Sequence, residues 1–197
     1  IRGIRWLGVS ALPWSKAQMQ LRARVGFVRD LVPGDWPDLS DEGLSGALED
    51  WLAPFLDGKT RLSDIGADDL GPALDALLPW ALRSTLDEVA PTHFVAPTGM
   101  AHPIRYDGPG APAISLRVQE LFGLKDHPSI GNGRLGLTIE MLSPAHRPIQ
   151  VTRDLPKFWA GSWRDVRADM RGQYPKHVWP EDPAHAQPTT RAKPRGS

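Results

Sequence analysis

Arg164, Arg167 and Arg171 stand three and four residues apart, a spacing that puts three guanidinium groups on one side of an α-helix. A guanidinium is a planar fork that donates two parallel hydrogen bonds, which suits phosphate and carboxylate alike. Asp165 and Asp169 share the stretch, yet neither lies three or four positions from any of the three arginines. The helix therefore cannot neutralise the stripe with its own side-chain pairs. Two partners fit: the phosphates of a nucleic acid, or acidic residues elsewhere in the chain. Lys157 before the stripe, and Lys176, His177 and Trp179 after it, add further cations and rings on which unpaired bases can stack. These seven residues form the candidate nucleic-acid-binding set. The competing reading makes Trp159 and Trp163 core, lets Trp179 pack the segment PKHVWPEDP onto the domain, and pairs the arginines with carboxylates.

The element that must position the stripe is a helix over about residues 156–171. Asp154 can cap its first N–H groups, and Pro156 suits a first turn that needs no donor. Trp159, Trp163, Val166 and Met170 then recur along one face. Upstream, short runs rich in β-formers (HFVAP, HPIRY, AISLRV, LGLTIEML and PIQVT) alternate between Gly/Pro-rich turns, with a short helix expected at VQELFG. Three strands, a helix and two more strands suit an OB-like barrel, a fold that often holds nucleic acid. A plain antiparallel sheet covered by the C-terminal helix explains the same runs. Residues 1–90 read as helical, with helices from Ser15 to about Leu31, from Ser40 toward Pro54, over 72–78 and over 80–89. The fold class is α+β, divided into a helical part (1–90), an antiparallel β part with its helix and Pro-rich strap (91–183), and a basic tail (184–197). That tail, carrying Arg191, Lys193 and Arg195, lacks apolar periodicity and is expected to be disordered.

Charge is segregated although the net is zero. Residues 1–29 carry six basic and no acidic residues, residues 30–90 three basic and fourteen acidic, and residues 151–197 nine basic and five acidic. Such blocks meet each other or meet different partners. With no cysteine there is neither disulfide nor thiol chemistry, which suits a reducing compartment. No run of about 18 apolar residues is present to span a bilayer, and the N-terminal stretch lacks a signal-peptide core. The expectation is a cytoplasmic protein without membrane contact. The chain opens on Ile1 rather than Met, as a piece of something longer would.

Catalytic motifs do not accompany the basic stripe. GNGRLG, residues 131–136, spells G-x-G-x-x-G, but a dinucleotide site needs that motif between a strand and a helix, and here a strand-like LTIEML follows; a turn is expected. The six histidines lack zinc-ligand spacing, and neither a phosphate loop nor a nucleophile elbow occurs. No catalytic, cofactor-binding or metal-binding residue is assigned.

The run LSPAHRPIQVTRDLPKFWAGSWRDVRADMRGQYPKHVWPEDP, with APTHFVAPTG and LRVQELFGL before it and PTTRAKPR after it, resembles the C-terminal region of the HrpB-type bacterial ATP-dependent helicases, which are DExH-box proteins. The resemblance implies a parent protein that hydrolyses ATP, with Mg, in two RecA-like motor domains upstream, and that remodels RNA. None of its nucleotide-binding motifs can be carried onto a position of this chain. What is expected here is an accessory region joined to those motor domains, assisting nucleic-acid binding with single-stranded RNA as partner. The alternative is a protein-interaction module that docks the helicase to a protein partner through the acidic helices or an open sheet edge.

Overall fold

The structure, a computed structural model, describes residues 1–192. Its contacts divide the chain into two units, Ile1–Ala90 and a second that starts at Pro91. The first consists of helices α1 (Arg2–Leu7), α2 (Lys16–Arg29), α3 (Asp41–Gly46), α4 (Leu48–Trp51), α5 (Ala67–Leu77) and α6 (Trp80–Val89). Ser15 starts α2 with a reciprocal capping box: its Oγ accepts from the Gln18 N–H at 3.2 Å, and Gln18 Oε1 accepts from the Ser15 N–H at 2.9 Å. The Gln18 amide also donates to the carbonyl of Ala67 at 2.6 Å, fastening α2 to the start of α5. Val25 and Val28 on α2 are fully buried.

Two expected helices differ in extent. The helix from Ser40 is capped as expected, with Ser40 Oγ accepting from Gly43 N–H, but it breaks at Ala47 into α3 and α4. Leu44, Leu48 and Trp51 still share the core across the break, and the Trp51 indole donates to the Leu44 carbonyl at 2.9 Å. The helix expected to begin at Pro72 begins at Ala67 instead, with Pro72 inside it. Asp69 explains the earlier start, because its carboxylate accepts from the Gly66 N–H at 2.8 Å and pairs with Lys59. Those two contacts, the Gly66 N–H first, hold the Asp69 carboxyl below its ordinary value.

The second unit contains β1 (His93–Val95), β2 (Ala101–Pro103), β3 (Ala113–Arg117), β4 (Ser129–Ile130), β5 (Leu135–Gly136), β6 (Thr138–Leu142) and β7 (Pro148–Thr152), followed by α7 (Leu155–Ala160) and α8 (Trp163–Gln173). β1 pairs with β2 and β4 with β5, both antiparallel. In the three-stranded sheet β6 is central, parallel to β3 and antiparallel to β7. The expected OB-like barrel is therefore not formed: among the described residues the strands lie in three small open sheets, and one pairing is parallel. Alternation specifies which face of a strand is buried, not which strand lies beside it. Residues 118–137 give the chain enough length to cross over between β3 and β6, as a parallel pair requires. VQELFG supplies a buried 3₁₀ turn, Val118–Leu121. GNGRLG forms the turn from β4 to β5, with Gly131, Asn132 and Gly133 at φ of 60°, 57° and 83°.

Residues 184–192, read from composition as part of a disordered tail, make contacts in the described structure. The Thr189 N–H donates to the Gln119 carbonyl at 3.1 Å, and Arg117 donates to the Thr190 carbonyl at 3.3 Å. Backbone bonding to a buried turn holds a segment that has no apolar stripe of its own. Lys193 and Arg195 lie outside the described residues.

Candidate nucleic-acid interface

The single helix expected over 156–171 is two helices. Asp154 caps α7 by accepting from the Lys157 N–H at 2.9 Å, and Gly161 ends it, its N–H donating to the carbonyls of Lys157 and Phe158. A Cβ at Gly161 would sit 3.2 Å from the Lys157 carbonyl oxygen, so glycine suits the close turn. α8 starts at Trp163, whose ring is buried at the centre of an aromatic cluster. Centroid distances are 5.6 Å to Phe122, 5.4 Å to Trp159, 6.3 Å to Phe158 and 6.4 Å to Trp179. Mostly tilted or edge-to-face, these rings bring positive edges to negative faces. Each indole N–H in the cluster reaches a carbonyl: Trp159 to Leu124, Trp163 to Pro180 and Trp179 to Tyr174, at 2.9–3.0 Å.

With the apolar face of α8 turned into that cluster, the arginine stripe takes a different direction. Arg164 and Arg171 are exposed, as are Lys157 and Lys176. Among the described residues, none of the four has a carboxylate within ion-pairing distance. Arg167 behaves otherwise. Half-buried, it donates to the Trp179 carbonyl at 2.9 Å and pairs with Glu181 at 3.1 Å, so the strap after the helix supplies the carboxylate that the helix lacks.

The remaining two candidates also belong to the strap. Trp179 is buried, with its ring against Trp163, so its faces are occupied by protein rather than open to a base. His177 is half-buried, and its Nδ1 lies 3.1 Å from the Gln119 amide nitrogen, placing it as an acceptor. Burial, then the nearby charge of Arg117, pushes its pKa below the ordinary histidine value, so the ring is neutral at pH 7. The seven residues thus divide into four open cations and three, Arg167, His177 and Trp179, whose side chains are engaged by other protein groups.

A cleft of about 230 Å³ lies at the end of α8, lined by Gln173, Tyr174, Pro175, Lys176 and His177. Gln173 and Tyr174 were outside the set read from sequence. Their signal was the composition of QYPKH, where two rings and a cation flank a proline just past a helix end. Among the described residues no group of three or more His, Asp or Glu side chains is placed to hold a metal ion, and no helix is long and apolar enough to cross a membrane.

The family described as ATP-dependent helicase C-terminal, HrpB_C, matches residues 51–183. The chain is 45% identical over 194 residues to the ATP-dependent RNA helicase HrpB of Escherichia coli K12, covering 98% of this chain and 24% of that protein. It is similar in fold to the crystal structure of E. coli DExH-box NTPase HrpB, with TM-score 0.83 and 44% identity over 97% of this chain and 24% of that one. A crystal structure of Escherichia coli DEAH/RHA helicase HrpB matches with TM-score 0.69 and 41% identity, over 90% of this chain and 23% of that one. The chain spans about a quarter of the length of these relatives. Sequence and fold agree: the chain belongs to the C-terminal region family of the HrpB-type ATP-dependent helicases.

Proposed function

We propose that this chain is a non-catalytic accessory region of an ATP-dependent RNA helicase and that it helps hold single-stranded RNA through Arg164, Arg171, Lys157 and Lys176. ATP and Mg chemistry belongs, in this reading, to the motor domains of the same polypeptide. The observation that carries the reading is the pair Arg164 and Arg171, exposed on α8 with no carboxylate in ion-pairing reach among the described residues, while Arg167 between them is neutralised by Glu181. Exposed cations held on one helix bind the phosphate backbone and release its counterions, so affinity falls with salt. The test is binding of single-stranded RNA to the chain across a salt series. The expected slope of log K on log salt is about −0.7 for each phosphate neutralised. Substituting Arg164→Ala and Arg171→Ala together should flatten that slope, and an unaltered affinity in the double variant would remove the assignment.

A second reading, a module that docks the helicase to a protein partner, is favoured by two tryptophans of the first unit. Trp6 and Trp80 are 85% and 82% exposed, and tryptophan is a frequent anchor of protein interfaces. This reading expects the chain to leave RNA unbound and a protein partner to be lost on substituting both tryptophans by alanine.

A further inference from the structure

The cleft that ends α8 has the chemistry of a seat for a ring. Its volume of about 230 Å³ falls short of the ~300–1,000 Å³ typical of a site for a whole drug-sized ligand. Two of its walls are aromatic, Tyr174 and His177, with ring centroids 6.4 Å apart and planes at 82°. Both rings are pinned from behind. The Tyr174 hydroxyl lies 3.2 Å from Ser143 Oγ, the Tyr174 carbonyl accepts the Trp179 indole N–H, and His177 accepts from Gln119. Rings already held in place lose little freedom when a partner stacks on them.

The polar groups at the cleft sort a base from a phosphate. α8 ends here, and the last carbonyls of a helix carry partial negative charge, which repels phosphate and attracts the N–H groups on a base edge. The Gln173 side chain is exposed and makes no hydrogen bond among the described residues. Its amide offers both a donor and an acceptor to a base edge. Lys176, exposed and part of the lining, supplies the cation for the phosphate attached to such a base.

We propose that this cleft binds one unpaired base of single-stranded RNA, stacked on Tyr174 with an edge toward His177, and with Gln173 at its polar edge and Lys176 on its phosphate. The inference rests on the reading that the chain holds RNA, and it adds a contact that the backbone cations do not provide. It is tested with the chain and two fluorescent oligomers of equal length, an oligouridylate and an abasic ribose–phosphate strand. The base-containing strand should bind about five- to tenfold more tightly, a preference that Tyr174→Ala should abolish and Tyr174→Phe should retain. Unchanged tryptophan fluorescence in the alanine variant establishes that the aromatic cluster is intact. If the variant unfolds, His177→Ala serves the same comparison. Equal, salt-dependent binding of the two strands overturns the base seat and leaves the backbone contact standing. Binding of neither strand overturns both.

Discussion

Arg167 donates its Nε–H to the carbonyl of Trp179 at 2.9 Å while its Nη2 pairs with Glu181 at 3.1 Å. One side chain on α8 thus ties down the strap that follows the helix, and its neighbours in the stripe are left to solvent. Arg167→Ala should lower stability by about 1–2 kcal/mol, the usual worth of hydrogen bonds from a charged donor. Arg171→Ala should stay within about 0.5 kcal/mol, as exposed unpaired positions do. Urea unfolding followed by tryptophan fluorescence separates the two, and equal losses would contradict the division of roles.

Arg24 should matter more than any exposed arginine. It is buried on α2, and it donates to the Ala90 carbonyl at 2.6 Å and pairs with Asp87 at 2.5 Å, so a cation from one helix meets the C-terminal end of α6. Arg24→Ala removes the donor from the Ala90 carbonyl and the partner of Asp87, and is expected to cost about 2–3 kcal/mol. Arg24→Lys, with one ammonium in place of the fork, should recover part of it. Denaturation midpoints of the two variants provide the check.

Gly123 marks where the strap returns. Its φ is +87°, its N–H donates to the Pro183 carbonyl at 2.8 Å, and a Cβ would lie 3.1 Å from the Ala186 carbonyl oxygen. Gly123→Ala combines an unfavourable backbone conformation with that close approach, and a loss of about 1–2 kcal/mol is expected. Hydrogen exchange should show faster exchange at Thr189, whose N–H bonds the same region. Protection at Thr189 equal to the parent's would count against the strap contact.

His177 gives the second unit a pH dependence of definite sign. Its folded pKa lies below the ordinary value, first because the ring is buried and then because Arg117 is close. The unfolded chain therefore takes up the proton first as pH falls. Stability from this group is complete above the ordinary histidine pKa of about 6.5 and is lost as pH drops from there toward the folded pKa. Denaturation midpoints at pH 7.5 and 5.5 should differ less in His177→Gln than in the parent chain.

Local chemistry was readable wherever one residue decides the outcome. Ser15, Ser40 and Asp154 each cap the helix their side chain suggested, and GNGRLG turns between strands because three consecutive positive φ angles need glycine or asparagine. The packed tryptophan pair, half-buried Trp159 and buried Trp163, was foreshadowed by its spacing, though the helix breaks between them at Gly161. Pairing was not readable in the same way. The parallel partnership of β3 and β6 joins residues more than twenty positions apart, and alternation carries no record of it. The division within the stripe was unreadable for a related reason: three arginines at helical spacing look equivalent in sequence, but the strap that neutralises Arg167 comes back through a turn no periodicity describes.

The hydrogen bond from Trp163 to Pro180 has a bearing on how the unit is made. Phe122, Trp159 and Trp163 leave a ribosome well before Pro180 does, so during synthesis the cluster has its rings but not the carbonyl and the Trp179 ring that complete it. The nascent unit must keep an apolar surface waiting for its last part, which makes the interval between the emergence of Trp163 and that of Pro180 the one in which it is open to aggregation or to a chaperone.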